Sequence, residues 1–124
     1  MKSYTDLEQS RKLAEFLLHE SADMYYEDDI SVEFGHGWHA QHIPCWSFAA
    51  LFNVMPQIND WITPHGHKND KLSQFEPKLC KIWEHSIIPS YKVTYGNELS
   101  TDIYDNPVDA AFEMILKLHE LKLL

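Results

Sequence analysis

The chain has 124 residues, 44% of them hydrophobic and 13% aromatic, enough for one domain, residues 1–124, that buries roughly two-thirds of its unfolded surface. Nineteen acidic against ten basic residues leave a formal charge of −9, which repels a phosphate backbone and argues against nucleic-acid binding. Two cysteines are too few for a disulfide scaffold. The N-terminus lacks the apolar core of a signal peptide, and no stretch nears the roughly 20 apolar residues of a membrane span, so a reducing cytoplasm and no membrane partner are expected.

Thr5, with Glu8 three positions on, forms a capping-box pattern, and Leu7, Leu13, Ala14, Leu17 and Leu18 recur at near-helical spacing. This predicts a helix over residues 6–19, with His19 in its last turn, where a cation suits the helix dipole. Residues 20–29, "ESADMYYEDD", are acidic and lack a clean period. "ISVEF" then alternates Ile30, Val32 and Phe34 against Ser31 and Glu33, which predicts a short strand, and Gly35 and Gly37 end it.

Pro44 suits the first turn of a helix and Pro56 closes the run "CWSFAALFNVM" between them. This segment, residues 45–55, is apolar almost all round and is expected to be the central buried helix. Residues 56–78 carry three prolines and many turn formers, and offer only a short strand around Ile58–Ile62. "LCKIWEH", "YKVTYG" and "LSTDIYD" follow as three short strands, the last two joined by a turn at Gly96 and Asn97.

The final segment has Asn106 to cap, Pro107 at the first helical position and Asp109 in the first turn, predicting a helix over residues 107–121. Val108, Ala111, Phe112, Ile115 and Leu118 make its apolar stripe, and Glu113 precedes Lys117 in the favourable i to i+4 order. The expected fold class is α+β: a small antiparallel sheet of three to five strands packed with three helices.

Chemistry concentrates in "EFGHGWHAQHIPCWSF", where His36, His39 and His42 stand three apart and Cys45 follows. On a helix these imidazoles fan out, and on a strand His39 opposes the other two, so only a loop could converge them. Zinc spacings are absent, and His65 and His67 would have to approach from far along the chain. The expectation is a protein without a bound metal or other cofactor. Cys45, placed in the first turn of a helix, would have its thiolate favoured by the dipole. "CWSF" has a local likeness, about five residues long, to the helix-start "CW" of papain-like peptidases, with Gln41 upstream. His85 would then be the base, oriented by Asn97 or Asp102. A small buried hydrophobe accounts for Cys45 equally well. No glycine-rich phosphate loop is present, so nucleotide binding is not expected.

Three blocks, "SYTDLEQSRKLAEFL" with "ESADMYY", "IPCWSFAALFNVMP" and "DNPVDAAFEMILKLHELKLL", cover roughly half the chain. In them the sequence resembles a family of small uncharacterised proteins of Bacteroides-type gut bacteria and their phages and mobile elements. The resemblance implies no activity or cofactor, and the histidine cluster falls outside the matching blocks.

Two readings of function follow. The favoured one is a non-enzymatic protein-interaction module of a phage or mobile element. Its partner would be a basic protein attracted to "YYEDD", where Tyr25 and Tyr26 stand beside Glu27, Asp28 and Asp29, with a homodimer as a further option. The alternative is a small cysteine-dependent hydrolase using Cys45, or a metal protein using the histidines.

Overall fold

Among the described residues, three α-helices, two three-stranded antiparallel sheets and a two-stranded ladder make this an α+β protein, as the periodicities predict. The computed structural model describes residues 1–28, 31–35, 42–59, 74–83, 87–96 and 99–124, which fall into two compact units, residues 1–54 and 55–124. Among the described residues no helix is long and apolar enough to cross a membrane.

In the first unit, helix α1 spans Leu7–Ala14 and packs on strand β3, Ile43–Cys45. Its cap lies one residue later than the Thr5 pattern predicts. Asp6 Oδ1 accepts from the Gln9 N–H at 2.8 Å, and Gln9 Oε1 accepts from the Asp6 N–H at 3.1 Å. Both frames fit the capping-box pattern, but the Thr5 hydroxyl is occupied inside the core, which leaves the cap to Asp6. The helix also ends earlier than residue 19. Leu18 is extended, and His19 opens a separate 3-10 turn, His19–Ser21, with its side chain in solvent.

Strand β1, Met24–Tyr26, is central in the first sheet, between β2, Val32–Phe34, and β3. Met24 pairs with Phe34 and Cys45, and Tyr26 with Val32 and Ile43. Alternation puts Met24, Tyr26 and Cys45 into a buried cluster, against which Leu7, Val32 and Ile43 pack. Of the predicted strand "ISVEF", Ile30 lies outside the described residues. At its far end Gly35 takes φ +104°, a conformation that only glycine adopts easily.

The segment "CWSFAALFNVM" departs from expectation at its start. Pro44 and Cys45 belong to β3, an edge strand, where a proline costs no ladder hydrogen bond. Helix α2 is Phe48–Val54, capped by Ser47, whose Oγ accepts from the Ala50 N–H at 3.2 Å. Only Ala50 and Leu51 of this helix are buried, while Ala49 and Asn53 face solvent, so it is not the wholly buried helix that its composition suggests.

In the second unit, β4, Ile58–Asn59, pairs with β5, Gln74–Phe75; Ile62, the end of the expected strand, lies outside the described residues. Strands β6, Pro77–Ile82, β7, Ser90–Tyr95, and β8, Leu99–Ser100, form the expected meander. Gly96, at φ +54°, begins the β7–β8 turn, and Asn97 lies outside the described residues.

Helix α3, Pro107–Glu120, packs on β7, where Val93 and Tyr95 are buried. Asn106 caps it, with Oδ1 accepting from the Asp109 N–H at 2.8 Å. Val108, Ala111, Met114, Ile115 and Leu118 are fully buried, the three longest stabilising by roughly 2 kcal/mol each. Glu113 does not serve Lys117 as its spacing suggests. Its carboxylate accepts from the Asp102 N–H at 3.0 Å and the Tyr104 hydroxyl at 2.8 Å, tying residues 101–105 to the helix.

Candidate functional site

Cys45 is fully buried, and the reason lies in what surrounds it. Thr5 and Trp46 form a bridge: the Thr5 N–H donates to the Trp46 carbonyl at 2.9 Å, and the Trp46 N–H donates to Thr5 Oγ1 at 3.1 Å. Thr5 Oγ1 lies 2.7 Å from Ser10 Oγ, so a hydroxyl pair is enclosed beneath α1. The Thr5 carbonyl accepts from the Tyr26 hydroxyl at 2.8 Å and from Cys45 Sγ at 3.4 Å. The thiol is therefore a donor inside a satisfied polar cluster.

Burial pushes the Cys45 thiol pKa up, an effect larger than the opposing hydrogen bonds from Thr5 and Ser10. The same desolvation drives the Tyr26 hydroxyl up to about 12. A nucleophilic cysteine needs the opposite, a thiolate stabilised by a cation or a helix N-terminus. Since Cys45 ends a strand three residues before α2, the dipole on which the sequence argument relied does not act on it. Among the described residues the hydrogen-bond partners of its sulfur are Thr5, Ser10 and Tyr26, without an imidazole among them.

The neighbouring polar groups are structural in the same sense. Trp46, also fully buried, donates its indole N–H to Ser21 Oγ at 3.0 Å, and Ser21 Oγ donates to the Leu18 carbonyl at 2.6 Å. The Ser47 N–H donates to Asp23 Oδ1 at 2.9 Å and its hydroxyl to Asp23 Oδ2. Trp46 is thereby tied to the His19–Ser21 turn, and Ser47, which caps α2, is tied to Asp23.

The histidines divide. His42 stacks on Tyr25, the ring centroids 4.7 Å apart, at the start of β3. His119 is exposed near the end of α3. His36, His39, His65, His67 and His85 lie outside the described residues, as does Gln41. Among the described residues no group of three or more His, Cys, Asp and Glu side chains is placed to hold a metal ion.

Tyr26, expected at an aromatic and acidic surface, is instead a core residue, because the central strand turns alternate side chains inward. Tyr25 faces outward beside His42 and opposite Glu33. The exposed aromatic among the described residues of this hairpin is Phe34, 84% exposed at the end of the edge strand. Residues 20–33 carry Glu20, Asp23, Glu27, Asp28, Asp29 and Glu33 and no basic residue, so Phe34 adjoins a strongly acidic stretch.

A second exposed apolar group lies in the other unit. Strand pairing of β6 with β7 ends at Ile82 and Ser90, and beyond it Trp83 is 58%, Ile87 93% and Ile88 66% exposed. Lys81 Nζ stands 5.0 Å over the Trp83 ring. Sequence reasoning extended this strand, which ends at Ile82, through Trp83 to His85, of which Glu84 and His85 lie outside the described residues, and missed the exposure of Trp83, Ile87 and Ile88. The adjacent isoleucines in "SIIPS", next to a proline, were the available signal. No family model, curated protein or solved structure matches the chain.

Proposed function

We propose that this chain is a non-enzymatic protein-interaction module, carried by a phage or mobile element of the Bacteroides-type bacteria whose small proteins it resembles, and that it docks a basic protein. The observation that carries this reading is Phe34, a large apolar side chain left in water on an edge strand within an acidic hairpin. A phenylalanine of this kind serves as an anchor, and the surrounding carboxylates speed encounter with a cationic surface. The buried, hydrogen-bonded state of Cys45 supports binding over thiol chemistry.

The test is capture from the bacterial host with the intact chain as bait. A basic protein should be enriched, and its association should slow as salt rises. The substitutions to use are Glu27→Gln and Glu33→Gln. Asp28 Oδ1 accepts from the Ser31 N–H at 2.7 Å and shapes the turn, so Asp28→Asn, which retains the acceptor, is the appropriate third change. Capture indifferent to salt and to all three changes would refute the electrostatic part, and a hydrolytic activity lost on Cys45→Ala would refute the whole.

A further inference from the structure

The edge that carries Phe34 has backbone as well as side chains to offer. The Glu27 N–H donates to the Ser31 carbonyl at 2.9 Å and the Gly35 N–H to the Asp23 carbonyl at 2.8 Å, so residues 31, 33 and 35 turn their backbone groups toward β1. Val32 and Phe34, which lie between them, turn theirs away. Among the described residues no strand pairs with β2 on that side, and a Cβ placed on Gly35 would meet no heavy atom beyond its chain neighbours within 4 Å. Alternation gives the edge two faces: Val32 and Phe34 stand with Met24 and Tyr26, and Glu33 stands with Tyr25.

We infer that the basic partner adds an extended segment to this edge as a further antiparallel strand, with a lysine or arginine opposite Glu33 and apolar residues opposite Val32 and Phe34, a step that rests on reading the edge as a docking face. Main-chain hydrogen bonds to Val32 and Phe34 fix the register, and alternate side chains supply selectivity. Charge names the occupant. Glu27, Asp28 and Glu33 are exposed, and residues 20–35 hold no lysine or arginine to offset them. The lysines and arginine of this unit are Lys2, Arg11 and Lys12, on or before α1, and α1 packs on β3, the opposite edge of the sheet. Lys2 is held by Asp6 at 2.9 Å and Lys12 by Glu15 at 3.4 Å. A second copy is a poor occupant. The register that would pair the outward groups of both copies, Val32 with Phe34, sets Glu33 directly against its own counterpart, a like-charge pair that destabilises a sheet.

The contact is short. Three residues of edge strand give a weak association that fades as salt rises, and the exposed Phe34 ring adds its apolar part.

The probe is a short synthetic peptide that alternates valine with lysine, carries a fluorophore, and is titrated against the intact chain at low salt with anisotropy as the readout. In the antiparallel strand the valine amides face β2 and the lysine amides face solvent. Methylating the valine amide nitrogens should therefore weaken binding about tenfold or more, while methylating the lysine amide nitrogens, at the same charge and length, should leave it unchanged. Amide hydrogen exchange at Val32 and Phe34 should slow when the unmethylated peptide is bound. Equal binding of both methylated peptides, a loss confined to the lysine-methylated one, no binding of the parent, or unchanged exchange at Val32 and Phe34 would overturn the inference. Capture of a basic protein by the intact chain and by its Phe34→Ser variant is measured alongside. Capture that depends on Phe34 while the peptides fail the methylation test keeps the docking face and overturns only the added strand, whereas capture indifferent to Phe34→Ser removes the docking face itself.

Discussion

Thr5 and Trp46 are joined in both directions across the first unit, backbone amide to carbonyl at 2.9 Å and backbone amide to hydroxyl at 3.1 Å, with both residues fully buried. The Thr5 hydroxyl is thus a fixed acceptor that no water can replace. Thr5→Val keeps the shape, strands the Trp46 N–H and the Ser10 hydroxyl, and should cost about 1–3 kcal/mol. Thr5→Ser retains the oxygen and should cost clearly less. Urea denaturation of both variants measures the difference, and a valine variant as stable as wild type would show that the bridge carries no net stability.

The two cysteines should react very differently with a thiol reagent. Cys45 is fully buried, donates to the Thr5 carbonyl and has a raised pKa through burial, so native protein should label there only as fast as it unfolds. Cys80 is half-buried on β6, with Sγ 3.9 Å from Thr94 Oγ1, and should label well before Cys45. Mass-mapped labelling over time decides between them. Cys45 modified first in folded protein would restore it as a reactive group.

Helix α3 ends in a left-handed residue that is not glycine. Lys122 sits at φ +59°, with its N–H donating to the His119 carbonyl at 3.0 Å while the Leu123 N–H donates to the Leu118 carbonyl at 2.9 Å. This is the double hydrogen bond of a Schellman cap, a place where Cβ costs energy. Lys122→Gly should stabilise the protein by about 1 kcal/mol, seen as a higher thermal midpoint. A lower midpoint would contradict the assigned cap.

Alkali should unfold the protein in a defined window. Desolvation pushes Tyr26 up to about 12, and Tyr104 also to about 12, the latter helped by its hydrogen bond to Glu113; burial raises Tyr95 as well. In the unfolded chain these groups lose their protons near the ordinary value of 10.0, while the folded chain holds them, so the native state binds more protons there and its stability falls with rising pH. That contribution is intact below pH 10 and is lost as pH climbs through about 12. Thermal midpoints across this range should drop, with tyrosinate absorbance rising as the chain unfolds. An unchanged midpoint at pH 12 would contradict it.

Local chemistry made α3 readable, because Asn106, Pro107 and a clean apolar stripe all report on one short segment. Where two local readings were equally good, distant residues decided. Thr5–Glu8 and Asp6–Gln9 both fit a capping box, and the second holds because Trp46 takes the Thr5 hydroxyl. Pro44 fits the first turn of a helix or an edge strand, and pairing with Tyr25 makes it a strand. Acidic neighbours suggested that Tyr26 lies at the surface, whereas its place on a central strand sends it inward. The exposure of Phe34 and of Trp83, Ile87 and Ile88 was missed for a related reason: alternation and apolar composition say what can be buried, and exposure depends on where a strand ends in space.

If the Phe34 edge binds and the Cys45 cluster only supports it, the affinity of the captured basic protein for Phe34→Ser and for Cys45→Ala, measured by titration calorimetry at a temperature where both variants are folded, separates the two roles. Phe34→Ser should weaken binding about tenfold or more, and Cys45→Ala should leave it unchanged. Affinity unaffected by Phe34→Ser but lost with Cys45→Ala would contradict this division of roles.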